Sequence, residues 1–197
     1  MESIKNYPHV LEPGELVRAT EKIHGSNARY TYEDGKMYAG SRKLWRAPTS
    51  RCIWRKVLAQ HPWITEWCQA HPSYTLYGEV VPTQGGFDYG CKGDETKFFV
   101  FGIRSPHGEW VKSSTSDIVD SLVEDTEVLR NWVPVVLEGP YDPDVYKAAA
   151  DGQSLVPGAK HLREGIVILP QVEREAHNLG RVQLKIVSNK FLEKDSK

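Results

Sequence analysis

Thr20-Glu21-Lys22-Ile23-His24-Gly25-Ser26-Asn27 is the stretch on which the reading of this chain turns. It joins two segments, 16–22 and 28–32, in which apolar residues alternate with the period of two that strands require. A lysine sits where the first strand ends, with His24 two residues on and Gly25 directly after it. Two readings compete. In one, the octapeptide is a surface hairpin with an ordinary lysine. In the other, Lys22 is a nucleophile. A lysine amine at its ordinary pKa of ~10.4 is only about 0.1% neutral near pH 7.4. A nucleophilic lysine therefore needs burial or neighbouring cations, and Gly25 would let backbone approach a ligand closely.

Working outward, Glu33-Asp34-Gly35-Lys36 predicts a tight hairpin turn into a strand over 37–42, because Asp-Gly accepts positive φ. Residues 52–70 carry helical periodicity through Ile53, Val57, Trp63, Ile64 and Trp67, and Pro62 divides them into two helices. Strands are expected over 74–81, 97–104, 133–137, 165–169 and 180–187, with a Gly-rich loop over 83–93. Helices are expected over 114–132, with Ile118, Val119, Leu122, Val123 and Leu129 on one face, and over 143–151. Residues 193–197 are expected to fray. Strands with helices inserted between them give an α+β fold of mainly antiparallel sheets.

The composition bounds the function. Of 197 residues, 40% are hydrophobic and 26% charged, which describes a globular chain with a real core. No apolar run approaches the ~20 residues that span a bilayer, so no membrane role is expected. The N-terminus lacks a charged-then-apolar signal pattern. Cysteines number three, with no CxxC spacing, which argues against a disulfide framework and a zinc site and for a reducing, cytoplasmic compartment. Net charge is −1, from 25 Lys+Arg and 26 Asp+Glu, unlike a protein that merely coats nucleic acid. The charge is segregated, however. Residues 42–56 hold six bases (Arg42, Lys43, Arg46, Arg51, Arg55, Lys56), no acid, and both Trp45 and Trp54. Residues 117–127 hold five acids and no base. One surface is thus suited to phosphates.

Further polar residues interrupt apolar strands. Tyr77-Gly78-Glu79 puts a carboxylate on a strand, and Glu164-Gly165-Ile166-Val167 puts another at a strand start. Lys97–Arg104 is aromatic, with Phe99 and Phe101 spaced two apart. In 181–186, Val182, Leu184 and Ile186 face one way and Arg181, Gln183 and Lys185 the other. Singly, each has an ordinary explanation as a solvated strand end or a core aromatic.

Together, in the order K-x-H-G, S-R-K, Y-G-E, F-x-F, E-G-I-V and L-K, these segments resemble the six signature motifs of the covalent nucleotidyltransferase superfamily, which holds ATP-dependent polynucleotide ligases and mRNA-capping guanylyltransferases. Histidine in K-x-H-G, within T-E-K-I-H-G-S-N, is similar to the RNA ligase family and to its nick-sealing branch. The resemblance implies a nucleotidyltransferase (ATP-grasp-like) core of mainly antiparallel sheets flanked by helices. It implies an ATP-dependent RNA ligase that uses Mg2+ or Mn2+ and acts on nicked or end-aligned RNA bearing 5′-phosphate and 3′-hydroxyl ends. By the same resemblance, Lys22 would carry AMP as a phosphoramidate. Glu21, His24, Gly25, Arg42, Glu79, Phe101 and Lys185 would serve the nucleotide: His24 near the phosphates, Arg42 near the ribose and incoming strand, Glu79 on a ribose hydroxyl, Phe101 stacked on adenine, Lys185 on the α-phosphate. Glu164 would position the metal. Arg46, Arg51, Arg55 and Lys56, outside the motifs, are expected to contact polynucleotide, with a solvated helix face as the alternative.

Two departures from the pattern stand out. The last motif often reads K-x-K, and here its second lysine is Val187, with Lys190 three residues later. With 21 residues before Lys22 and 12 after Lys185, residues 1–197 are expected to form a single domain without an appended OB-fold. The rival readings are a DNA ligase, a GTP-using capping enzyme, and a catalytically silent nucleic-acid-binding module.

Overall fold

In the antiparallel pairing of Leu16–Glu21 (β2) with Gly165–Pro170 (β8), Glu21 lies opposite Ile166, so the lysine after β2 and the glutamate before β8 leave the sheet together. This arrangement comes from a computed structural model that describes residues 1–83, 85–111 and 126–195. The chain divides into two compact units, one built mainly from Met1–Ile23 and Val133–Lys197, the other mainly from His24–Val111. The division falls between Ile23 and His24, inside the octapeptide.

The first unit is a five-stranded sheet in the order β1-β11-β8-β2-β7, where β1 is Glu2–Ser3, β7 Val135–Pro140 and β11 Leu184–Val187. All pairings are antiparallel except β1 with β11. Alternation sorts its side chains. Val17, Ala19, Ile166, Ile168 and Leu184 enter one core with Tyr141, Tyr146 and Leu11. Arg18, Thr20, Val167, Leu169 and Lys185 take the opposite face. There Arg18 pairs with Glu138 at 2.9 Å across the β2–β7 register. A short helix (α4, Pro143–Ala149) starts at Asp142, whose carboxylate accepts from the N–H groups of Asp144 and Val145, with Pro143 at its first position.

The second unit is a four-stranded antiparallel sheet, β4-β3-β5-β6, formed by Lys36–Gly40, Ser26–Glu33, Thr75–Val81 and Lys97–Arg104. Its β3–β4 turn holds Asp34 and Gly35 at φ of 48° and 74°, as the Asp-Gly pair predicts. Helices α1 (Ile53–Gln60) and α2 (Pro62–Ala70) break at Pro62 and bury Val57, Ile64, Trp67 and Cys68 against Ala28, Tyr30, Leu76, Val80 and Phe98. The other face of the sheet keeps Asn27, Arg29, Tyr77, Glu79 and Phe99, which share register rows.

The structure corrects two sequence expectations. Residues 180–187 are not one strand. Gly180–Arg181 (β10) pairs with Glu175–Ala176 (β9) in a separate ribbon, and Arg181 is ion-paired to Glu173 at 2.5 Å, away from the face of Lys185. Residues 193–195 do not fray; they end helix α5 (Asn189–Asp195). Ser188 starts that helix by accepting from the Phe191 N–H, and its own hydroxyl donates to Asp151. Of the helix expected over 114–132, residues 114–125 lie outside the described residues, and the described part is helical over Thr126–Arg130 (α3) and not at 131–132. No helix among the described residues is long and apolar enough to cross a membrane.

Candidate active site

In the first unit, the Lys22 N–H donates to the Gly165 carbonyl at 3.0 Å, which extends the β2–β8 ladder by one bond. The Lys22 Nζ stands 2.5 Å from Glu164 Oε1, with the two side chains only 16% and 13% exposed. A largely shielded amine facing a carboxylate is a different object from a surface lysine. Val187 lies opposite Gly165, and two rows inward Lys185 lies opposite Val167, which itself faces Thr20. Lys185 therefore stands at the same end of the sheet as Lys22 and Glu164.

Gly165 makes this end possible. It has φ of +153°, and a Cβ there would lie 2.1 Å from the Ile186 carbonyl oxygen and 2.9 Å from the Val187 Cα. Both obstacles are backbone, so the strands would have to separate. Gly165→Ala is expected to cost about 1–3 kcal/mol or more, the range for overpacking. Chemical denaturation checks this: a midpoint equal to that of the parent would show that the strands do not approach so closely.

Glu21 points to the other side of β2. It is almost fully buried, and its two carboxylate oxygens accept from the Ser154 hydroxyl and the Leu155 N–H, each at 2.6 Å. Burial raises its pKa above the ordinary value of 4.5, while those two hydrogen bonds and the charges of Arg163 and His161 pull it back. The direction fixes a pH effect. A carboxyl with a raised folded pKa takes up a proton on folding, so its contribution is fully present below pH 4.5 and is lost as pH rises through the folded value. Glu21→Gln is expected to flatten the fall in stability over that window, read from unfolding free energies at several pH values. An unchanged pH profile would remove Glu21 as the source.

In the second unit, the His24 N–H donates to the Tyr89 hydroxyl at 2.6 Å, and the His24 ring lies 4.5 Å from that of Phe87. Both partners come from the Gly-rich loop. Gly25 is needed by the fold itself: a Cβ there would lie 2.4 Å from the Val80 carbonyl oxygen on β5. Glu79 shares a row with Asn27 and Phe99. Phe101 has no partner residue on β5, because the register shifts between Tyr77 and Gly78, which face Gly102 and Val100. It is the extra residue of a β-bulge, a device that re-aims a side chain beside functional sites.

The Ser41-Arg42-Lys43-Leu44 segment is a turn closed by the Ser41 N–H on the Leu44 carbonyl at 2.9 Å, with Arg42 and Lys43 exposed at its tip. The other basic residues divide. Arg55 donates to the carbonyls of Met37 and Arg46, Arg46 stacks 4.3 Å from the Trp54 ring centroid, and Lys56 is ion-paired with Asp94. Arg51 is exposed and makes no hydrogen bond or ion pair among the described residues. Sequence reasoning had passed over Asn27 and Arg29. The signal was present in Ser26-Asn27-Ala28-Arg29-Tyr30, where polar residues alternate with core residues on a strand.

Among the described residues, no group of three or more His, Cys, Asp or Glu could hold a metal ion. A hard cation carried on phosphates needs less, since Mg2+ commonly takes one or two carboxylates and fills its shell with phosphate oxygens and water. Glu164 fits that demand as a single carboxylate.

The family model described as RNA ligase matches residues 15–187. Among solved structures, an apo mutant of a Naegleria gruberi RNA ligase aligns with 98% of this chain and 56% of its own, at 23% identity and a TM-score of 0.76. A mutant of the Naegleria gruberi enzyme solved with ATP and Mn aligns at 22% identity and 0.77, over 99% of this chain and 56% of its own. The enzyme solved with PPi gives the same values. The chain thus spans a little over half the length of these structures, and the likeness establishes a nucleotidyltransferase fold of that kind. No curated protein sequence matches.

Proposed function

The chain belongs to the RNA ligase family, and from that premise we propose that it is an ATP-dependent RNA ligase working through a lysyl-AMP intermediate on Lys22. The observation that carries this reading is the shielded Lys22–Glu164 pair at the end of β2 and β8, with Lys185 two rows inward on β11. The Lys22 amine attacks the α-phosphorus of ATP; an N–P bond forms, the bond from that phosphorus to the bridging oxygen breaks, and pyrophosphate leaves. The ammonium passes its proton to solvent as the ion pair with Glu164 opens, because a lone pair is needed for attack. Lys185 meets the negative charge that grows on the α-phosphate. Glu164 would hold a divalent ion such as Mg2+ or Mn2+ together with the nucleotide's phosphates, and that ion would supply further charge neutralisation.

AMP then passes to an RNA 5′-phosphate, forming a phosphoanhydride and freeing the lysine. A 3′-hydroxyl displaces AMP and leaves a phosphodiester. On the second unit, Glu79 is assigned to a ribose hydroxyl, Phe101 to the adenine face, Arg42 to the ribose and incoming strand, and His24 to the phosphates. The place of action is the cytoplasm, and the partner is RNA with its two ends brought together. The test offers labelled ATP and labelled GTP separately with Mg2+ or Mn2+, then RNA or DNA on the 3′-hydroxyl side of a break. Labelling from ATP and joining of RNA support the reading. Labelling from GTP alone, or DNA joined faster than RNA, would overturn it.

The basic stretch yields a separate expectation. Arg51, exposed and unengaged, is the member whose removal disturbs no internal contact. If it meets a phosphate, Arg51→Ala lowers the slope of log affinity against log salt by about 0.7–0.9. A slope equal to the parent's would place Arg51 outside the RNA contact.

A further inference from the structure

Trp45 is 43% exposed, yet both its backbone and its ring are engaged. It forms a bridge with Gly40, and the Arg46 N–H donates to the Ala39 carbonyl at 2.8 Å, so the chain folds back along β4 as an extra edge segment. The ring lies over Gly40, where a Cβ would meet its Cε3 at 2.8 Å; only glycine leaves that room. On β3, Arg29 lies opposite Gly40 and sets its guanidinium 3.9 Å from the Trp45 ring centroid. Arg29, Gly40 and Trp45 are thus one row across the sheet, on the face that carries Asn27 and Glu79. The Arg29 guanidinium covers one face of the indole, Tyr38 meets the ring edge-on with 5.8 Å between centroids, and 43% of the residue stays exposed.

An exposed tryptophan backed by a guanidinium and flanked by a second ring offers a stacking surface. Its surroundings name the occupant. Arg42 and Lys43 stand at the tip of the adjoining turn and Arg51 lies a few residues on, all exposed, and residues 42–56 hold no acid. A flat π-face ringed by cations complements a base on a phosphate backbone.

We propose that Trp45 stacks on an unpaired nucleobase of the RNA, with Lys43 and Arg51 on the neighbouring phosphates. This rests on the reading of the chain as an RNA-joining enzyme and adds which chemical part of the RNA the second unit grips. Stacking and ion pairing separate cleanly in a binding experiment. Two labelled single-stranded oligoribonucleotides of equal length and charge are titrated by fluorescence anisotropy, one with bases and one abasic. The parent protein binds the base-bearing strand on the order of ten-fold more tightly, as one or two stacks support. Trp45→Ala removes that preference, leaves binding to the abasic strand in place and keeps the salt slope. Trp45→Phe, which retains a ring, restores part of the preference and guards against a folding defect. Lys43→Ala weakens both strands alike and lowers the slope. Loss of affinity for both strands with Trp45→Ala, or a preference that survives it, would overturn the proposal. The two readings fail separately: no adduct with ATP sinks the ligase reading, whereas an adduct with no base preference sinks only the stacking.

Discussion

Lys22→Ala and Lys22→Arg are both expected to abolish the covalent AMP adduct proposed for the parent chain with ATP and a divalent ion. Alanine removes the nucleophile. Arginine is the sharper test, because it keeps a cation opposite Glu164, whose oxygen lies 2.5 Å from the lysine nitrogen. Guanidinium stays protonated at any workable pH and supplies no lone pair. The arginine variant should therefore fold with its ion pair replaced and still be inert. Intact mass after incubation reads the result directly. An adduct that persists in the arginine variant would mean that another residue takes the AMP and that the Lys22–Glu164 pair is structural.

Lys185→Ala slows adduct formation by about 100-fold or more, the loss seen when one transition-state donor is removed from a preorganised site. The reason is position. Lys185 sits on β11 two rows from Val187 and Gly165, toward the end of the sheet where Lys22 and Glu164 meet. The neighbouring Val187 gives this prediction a partner. Leu184 and Ile186 pack with the first unit's core, so alternation sets Val187 on the Lys185 face. Val187→Lys should be tolerated and should raise the rate of the parent if a second cation is wanted there. Single-turnover adduct formation measures both variants. A rate for Lys185→Ala within two-fold of the parent would detach Lys185 from the chemistry, and loss of folding in Val187→Lys would place that side chain inside the core.

Much of this architecture was legible because it is local. The Asp34-Gly35 turn, the break at Pro62 and the bounds of Lys97–Arg104 follow from turn chemistry, a missing N–H and a run of aromatic and β-branched residues. The nucleotidyltransferase topology was legible only through six short motifs in order, since alternation marks strands without saying which strands pair. What stayed hidden depends on distant partners. The bulge that isolates Phe101 arises from how β5 and β6 register, which neither strand encodes alone. Arg55 and Lys56 read as surface cations, yet they meet the carbonyls of Met37 and Arg46 and the carboxylate of Asp94. Gly25 read as an opening for a ligand, and in the fold it first admits the Val80 carbonyl. Glu21 read as one of the nucleotide's residues, and its carboxylate is held by Ser154 and Leu155, more than 130 residues away. Its assignment to the nucleotide is a proposal that must now accommodate those two bonds.

The central claim is that this chain forms a phosphoramidate on Lys22. The most direct measurement is peptide mapping by mass spectrometry after incubation with ATP and Mg2+ or Mn2+, with one half of the sample acidified first. The account predicts one AMP per chain, located on the peptide that contains Lys22 and lost on acidification, because a P–N bond is acid-labile. An AMP found on any other residue, or one on Lys22's peptide that survives acid, would contradict it.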